Sequence, residues 1–253
     1  MKFRRHTANW EHKVWQWAIP AFVLGLAAAE SRQETMSKIV AAEVMMALGG
    51  HETWNAIRYV DFAFVRRGNR LVLKWDRWTR DYRLDATNED AQPVRVVMNL
   101  ATGEGDVRVA GEPVSSEAKA EWLNRATRMW HGESYWLLMP LKLSDPGVKL
   151  TYEGRKEVAG TDYDVLGLAF DEVGVTPGDT FRVYVHPETR LVDRWTFKLQ
   201  GGYEGDFRWT GWKEIGGLQI ATERHGVDGE IIRMEDITLA TEVPDGVFSF
   251  DAP

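Results

Sequence analysis

Residues 180–199 read Thr-Phe-Arg-Val-Tyr-Val-His, then Pro187-Glu188-Thr189-Arg190, then Leu-Val-Asp-Arg-Trp-Thr-Phe-Lys-Leu. Two alternating runs flank four residues rich in turn formers, which is the pattern of a β-hairpin. Successive side chains leave a strand on opposite faces, so Phe181, Val183 and Val185 share one face and Arg182, Tyr184 and His186 the other. On the return run Leu191, Trp195, Phe197 and Leu199 are apolar, and Arg194, Thr196 and Lys198 are polar. Each strand has one apolar and one polar face, as in an antiparallel sheet with one side on a core.

The same device repeats outward from this hairpin. Strands are predicted near 148–153 and 163–170 before it, and near 206–213, 218–225 and 230–240 after it, with Gly201-Gly202, Gly205 and Gly216-Gly217 marking turns. An earlier meander starts with Val60, Phe62 and Phe64, turns at Gly68-Asn69, and returns through Leu71, Leu73 and Trp75. Strands near 82–86, 94–100 and 106–110 continue it. Helical spacing appears at 34–48, closed by Gly49-Gly50, and a short helical turn can follow at 54–57. Between the meanders, Trp122, Ala126, Met129 and Trp130 have helical spacing from 116 to 130. His131-Gly132 is read as an interruption, after which Tyr135 to Met139 starts a second apolar segment that Pro140 ends. The expected fold is mainly β with some α+β character: a strongly curved antiparallel sheet, or unclosed β-barrel, of about 11–12 strands, with two or three helices covering its concave face. No linker divides residues 30–253, so one domain is expected.

The chain has 253 residues, no cysteine and a formal charge of -7. Disulfides and thiolate chemistry are excluded. The acidic balance argues against nucleic acid and against electrostatic binding to anionic membranes. Lys2, Arg4, Arg5 and Lys13 precede an apolar run from Ala18 to Ala29 that ends in three alanines. A basic start, a short apolar stretch and a small-residue exit describe a signal peptide over 1–29. The mature protein is then periplasmic or secreted, with no stable transmembrane span; an uncleaved leader acting as an anchor is the alternative.

Catalytic signals are sparse. His51-Glu52 begins like a zinc-binding His-Glu-x-x-His, but Asn55 stands at the second ligand position. No serine nucleophile elbow and no phosphate-cradling glycine loop is present. Asp171, Glu172 and Asp179 cluster in one loop and could serve a hydrolase, or a calcium ion, or simply be solvated. The reading is a non-enzyme with no cofactor and no metal. What is abundant is apolar surface on one side of the strands, wider than a few helices can cover. The expected lining of an apolar cavity is Phe62, Phe64, Leu73, Trp75, Tyr82, Met98, Phe181, Val183, Trp195, Phe197, Phe207 and Trp209 from the strands, with Trp136 and Met139 from the helical segment.

Four features together resemble the LolA/LolB-like superfamily of periplasmic lipoprotein carriers. They are the leader running into an amphipathic helix, the aromatic strand Val60-Asp61-Phe62-Ala63-Phe64, the hairpin Tyr184-Val185-His186-Pro187-Glu188-Thr189, and the ending Val243-Pro244-Asp245-Gly246-Val247-Phe248-Ser249-Phe250-Asp251-Ala252-Pro253. The hairpin is similar to that family's strand, Asp-Pro-x-Thr, strand element, with His186 in place of Asp. The segments at 136–140 and 173–179 look like those of a less-characterised subgroup. The resemblance implies a half-barrel with a helical lid and a monomeric, non-catalytic carrier of lipid or of acylated protein. An envelope protein–protein interaction module without a ligand is the alternative.

Overall fold

The computed structural model describes residues 18–170 and 179–251, with side chains from residue 32 onward. Helix α1 (Ala18–Ala47) and the short α2 (Gly50–Ala56) precede the strands. The first meander is β1 (Tyr59–Arg66), β2 (Asn69–Asp76), β3 (Asp81–Thr87), β4 (Pro93–Asn99), β5 (Gly105–Val109) and the two-residue β6 (Glu112–Pro113). Helix α3 (Ser116–Leu138) follows, ending in a 3-10 turn, Met139–Lys142. The second meander is β7 (Val148–Val158), β8 (Thr161–Phe170), β9 (Thr180–Val185), β10 (Val192–Lys198), β11 (Glu204–Ile215), β12 (Leu218–Gly226) and β13 (Ile231–Ala240).

All thirteen strands form one antiparallel sheet in the order β6-β5-β4-β3-β2-β1-β13-β12-β11-β10-β9-β8-β7. The two meanders meet where β1 pairs with β13, Phe64 opposite Met234. The margins β6 and β7 do not pair with each other, so the sheet is curved but not closed. This topology dictates the place of α3: it links one margin to the other and therefore crosses the concave face. Its start is capped by Ser115, whose side chain accepts the N–H of Ala118.

Two helices differ from their sequence reading. The first begins at Ala18 rather than 34, so the apolar run read as leader and the amphipathic stretch are one element. Alanine and leucine favour helix, and no stop separates the two stretches. Residues 1–17 of the expected signal peptide lie outside the described residues. Among the described residues no helix is long and apolar enough to cross a membrane. The second difference is α3, which runs through His131-Gly132 unbroken. The space beside Gly132 is open. A helical glycine costs only about 1 kcal/mol relative to alanine, less than the aromatic packing on either side of it stabilises.

The core is formed by the inward strand residues beneath the helices, including Phe62, Leu73, Leu84, Leu166, Val183 and Ile220. Strands β12 and β13 pair only from Glu223 to His225, opposite Arg233 to Ile231, and then separate. The junction of α1 and α2 closes in there, with Gln219 N–H donating to Leu48 C=O at 2.9 Å. Gly216 needs its lack of a side chain at this point. Its φ is +59°, and a Cβ would lie 2.4 Å from Leu239 C=O. Gly216→Ala is expected to cost at least about 2 kcal/mol from left-handed strain and overpacking together, measured by urea unfolding; an unchanged midpoint would show that β13 yields freely.

Residues 247–250 lie across the outer face. Arg83 donates to Val247 C=O at 3.2 Å and Arg95 to Phe250 C=O at 2.8 Å. Both arginines share Asp85. Arg108 sits over the Phe250 ring, 4.5 Å from its centroid, and Phe248 meets Tyr59 edge-on at 6.5 Å. This strap explains why Arg83, an outward residue by strand alternation, is only 1% exposed.

Candidate functional site

A half-open hollow of about 640 Å³ lies between α3 and the concave face. Its walls come from α2, the turn between β2 and β3, the second half of α3, the segment after the 3-10 turn, and β7 to β10. Alternation aims Phe181, Trp195 and Phe197 inward from β9 and β10, where Phe181 is paired with Phe197 and Val183 with Trp195. Helical spacing brings Trp136 down onto them. Its ring lies 4.6 Å from Trp195 and 4.9 Å from Phe207, both edge-on. At the far side Trp75 meets Trp130 edge-on at 5.1 Å, and Phe170 packs between Tyr135 at 6.0 Å and Phe181 at 5.3 Å.

Of the fourteen residues expected to line a cavity, Trp75, Trp136, Phe181, Trp195 and Phe197 do so. Phe62, Phe64, Leu73, Tyr82, Met98, Met139, Val183, Phe207 and Trp209 are buried in the core and do not border this hollow. Periodicity gives the face of a strand residue but not its depth: where α1 and the first half of α3 press close, inward residues are filled over. Trp54, Trp130, Tyr135, Phe170 and Tyr203 complete the aromatic lining. Phe170 shared the inward parity of its strand, and Tyr135 adjoined Trp136, so both carried a signal.

Two ionisable groups stand out at α3: Arg224, packed against it, and the half-buried Glu133 on the helix itself. Arg224 is fully buried, its guanidinium 3.6 Å from the Trp209 ring centroid. It donates to the carbonyls of Ala221 at 2.9 Å and Trp136 at 2.6 Å. The second bond has a simple origin. An α-helical carbonyl accepts from the N–H four residues on, and four residues after Trp136 stands Pro140, which has none. Arg224 supplies the missing donor, while burial pulls its pKa well down. Arg224→Met should preserve most of the packing yet free this carbonyl; faster amide hydrogen exchange in the last turn of α3 is the expected result, and unchanged exchange there would show that the bond holds nothing in place. The other group is Glu133, whose carboxyl is raised to about 7 by burial, partly offset by Arg66. Nearby, the Tyr82 phenol is buried without a hydrogen-bond partner among the described residues and is pushed well up, chiefly by burial and further by Glu133 and Asp85.

The hollow's other polar groups are mostly donors. The indole N–H groups of Trp75, Trp130 and Trp195 are buried with no acceptor among the described residues. Lys142 pairs with Asp145, and Arg66 with Glu230 at 2.7 Å. Asp171 and Glu172 lie outside the described residues. Asp179 is buried and accepts the N–H of Gln200 at 2.9 Å, an anchor between neighbouring strands. Among the described residues no group of three or more His, Asp or Glu could hold a metal ion. His186 accepts the N–H groups of Glu188 at 3.2 Å and Thr189 at 3.3 Å, which fixes its turn.

A profile described as a family of unknown function (DUF6503) matches residues 118–218, from α3 to the start of β12. No curated protein matches this sequence. Among solved structures the chain is similar to a DUF1329 family protein from Desulfovibrio piger, at 12% identity over 85% of this chain and 97% of that one, with a TM-score of 0.46. A LolA superfamily protein from Nitrosomonas europaea has 13% identity over 79% of this chain and 96% of that one, TM-score 0.41. An outer-membrane lipoprotein-sorting protein domain from Vibrio parahaemolyticus has 12% identity over 78% and 93%, TM-score 0.39. LolA superfamily proteins are thus among the structures this chain is similar to, at identities that bear on the fold alone.

Proposed function

We propose that the protein is a non-catalytic carrier or binder of lipid or lipoprotein acyl chains in the bacterial envelope, held in the hollow beneath α3. The observation that carries this reading is the hollow itself: about 640 Å³, walled largely by aromatic side chains, within the ~300–1,000 Å³ range of ligand sites. Burying an acyl chain stabilises a complex by about 0.8 kcal/mol per methylene. A chain of ~16 carbons therefore offers on the order of 12 kcal/mol before ordering costs are subtracted. Affinity of this kind needs no nucleophile and no metal. A periplasmic site of action accords with the basic, then apolar, start of the chain.

The test is native mass spectrometry and solvent extraction of the protein purified from envelope fractions, followed by titration with a fluorescent fatty acid. Co-purifying lipid, or saturable uptake of the fatty acid, is expected. Protein that is lipid-free and takes up none would overturn the reading.

A further inference from the structure

We propose that the occupant of this hollow is a long-chain amphiphile with an anionic head, received by Arg80 and Arg128; this rests on the carrier reading above. The protein as a whole is acidic, at -7, yet the hollow is bordered by four basic side chains, Arg66, Arg80, Arg128 and Lys142, and only two acidic ones, Asp145 and Asp179. Arg66 is bonded to Glu230, and Lys142 to Asp145. That leaves Arg80 and Arg128, whose guanidinium groups have no hydrogen-bond or ion-pair partner among the described residues.

Arg80 is held in place by the turn between β2 and β3. Its backbone N–H donates to Asp76 C=O at 3.0 Å, and its own carbonyl accepts from Leu100 at 2.9 Å. Arg77, three residues before it, adds to the local positive potential. Its guanidinium stacks 3.5 Å from the Trp54 ring centroid and donates to the carbonyls of Trp54 and Ile57 at 2.6 and 2.5 Å. No carboxylate among the described residues bonds it, and burial brings it down to about 10.

A hydrocarbon alone offers the guanidinium groups of Arg80 and Arg128 nothing to bond. A head with several oxygens does, because the guanidinium fork matches carboxylate and phosphate alike.

The experiment displaces a neutral fluorophore, N-phenyl-1-naphthylamine, from the full chain at neutral pH and low salt, using four ligands with the same tail: palmitate, hexadecyl phosphate, hexadecanol and hexadecyltrimethylammonium. Palmitate or the phosphate ester is expected to compete about tenfold better than the alcohol, as a charge-assisted contact implies, and the cation to compete worst. The phosphate and carboxylate arms identify the preferred head. In the double variant Arg80→Gln, Arg128→Gln the preference should collapse to within about threefold. Equal competition by the alcohol and both anions overturns the proposal and leaves the carrier reading standing, as does a preference that survives in the double variant. Failure of the fluorophore and of all four ligands to bind would instead remove the carrier reading, and this proposal with it.

Discussion

Trp136→Ala is expected to lower the unfolding free energy by about 3–5 kcal/mol, the range for removing a large aromatic from a packed site. Trp136 is the one α3 side chain that touches three aromatic rings of the sheet: Trp195, Phe197 and Phe207, at 4.6, 6.1 and 4.9 Å. Its loss empties the contact that seats the helix on β10 and β11, and those strands cannot collapse inward to fill it because their hydrogen bonds fix Trp195 opposite Phe207. Trp78→Ala is the control. Trp78 is 62% exposed, so its removal should stay within about 0.5 kcal/mol. Urea unfolding of both variants decides the matter. Equal losses in the two would show that the α3 contact contributes no more than a surface ring.

Glu133→Gln is expected to leave stability almost unchanged near pH 4.5 and to raise it by about 3 kcal/mol at pH 8. The sign follows from linkage. In the unfolded chain the carboxyl titrates near 4.5, whereas burial lifts it to about 7 in the folded protein. Below about 4.5 both states carry the proton, and the group is neutral in its effect. Between 4.5 and 7 the folded state holds a proton the unfolded state has released, so stability falls as pH rises. Above 7 the full deficit is present, about 3 kcal/mol for a shift of this size at 1.36 kcal/mol per unit. Glutamine stays uncharged, which removes the deficit. The facing groups do not titrate in this window: Arg66 is raised by its bond to Glu230, and Tyr82 is pushed well up. Unfolding free energies measured from pH 4.5 to 8 should diverge between wild type and variant. Parallel profiles would mean that the carboxyl remains hydrated in the native state.

Most strands were legible because alternation is a strong local signal. The hairpin at 180–199 folds as its pattern implies, with a turn at 186–190. The hollow was legible in part. Trp75, Trp136, Phe181, Trp195 and Phe197 border it, but distinguishing them from Phe62 or Tyr82 requires knowing where α1 and α3 lie, which is a property of the topology. The basic rim was invisible for a different reason: Arg80 sits in a turn and Arg128 on the polar side of a helix, where arginine is ordinary. Arg224 carried a clue that composition hides. It shares parity with the inward Leu218 and Ile220, so alternation places it on the concave face despite its charge. Arg83 carried no such clue, since its burial depends on a strap more than 150 residues away in sequence.

The helix that joins the two unpaired margins has a mechanical consequence. At 23 residues it is a rod of about 35 Å, and the chain offers no slack beyond its short end turns. The rod acts as a strut across the mouth of a bowl. It sets the greatest span the rim can reach without unwinding, yet lets the rim draw in when it tilts. On the carrier reading, a bulky guest would enter by swinging the strut aside rather than by prising neighbouring strands apart, which would leave the sheet's hydrogen-bond ladder whole.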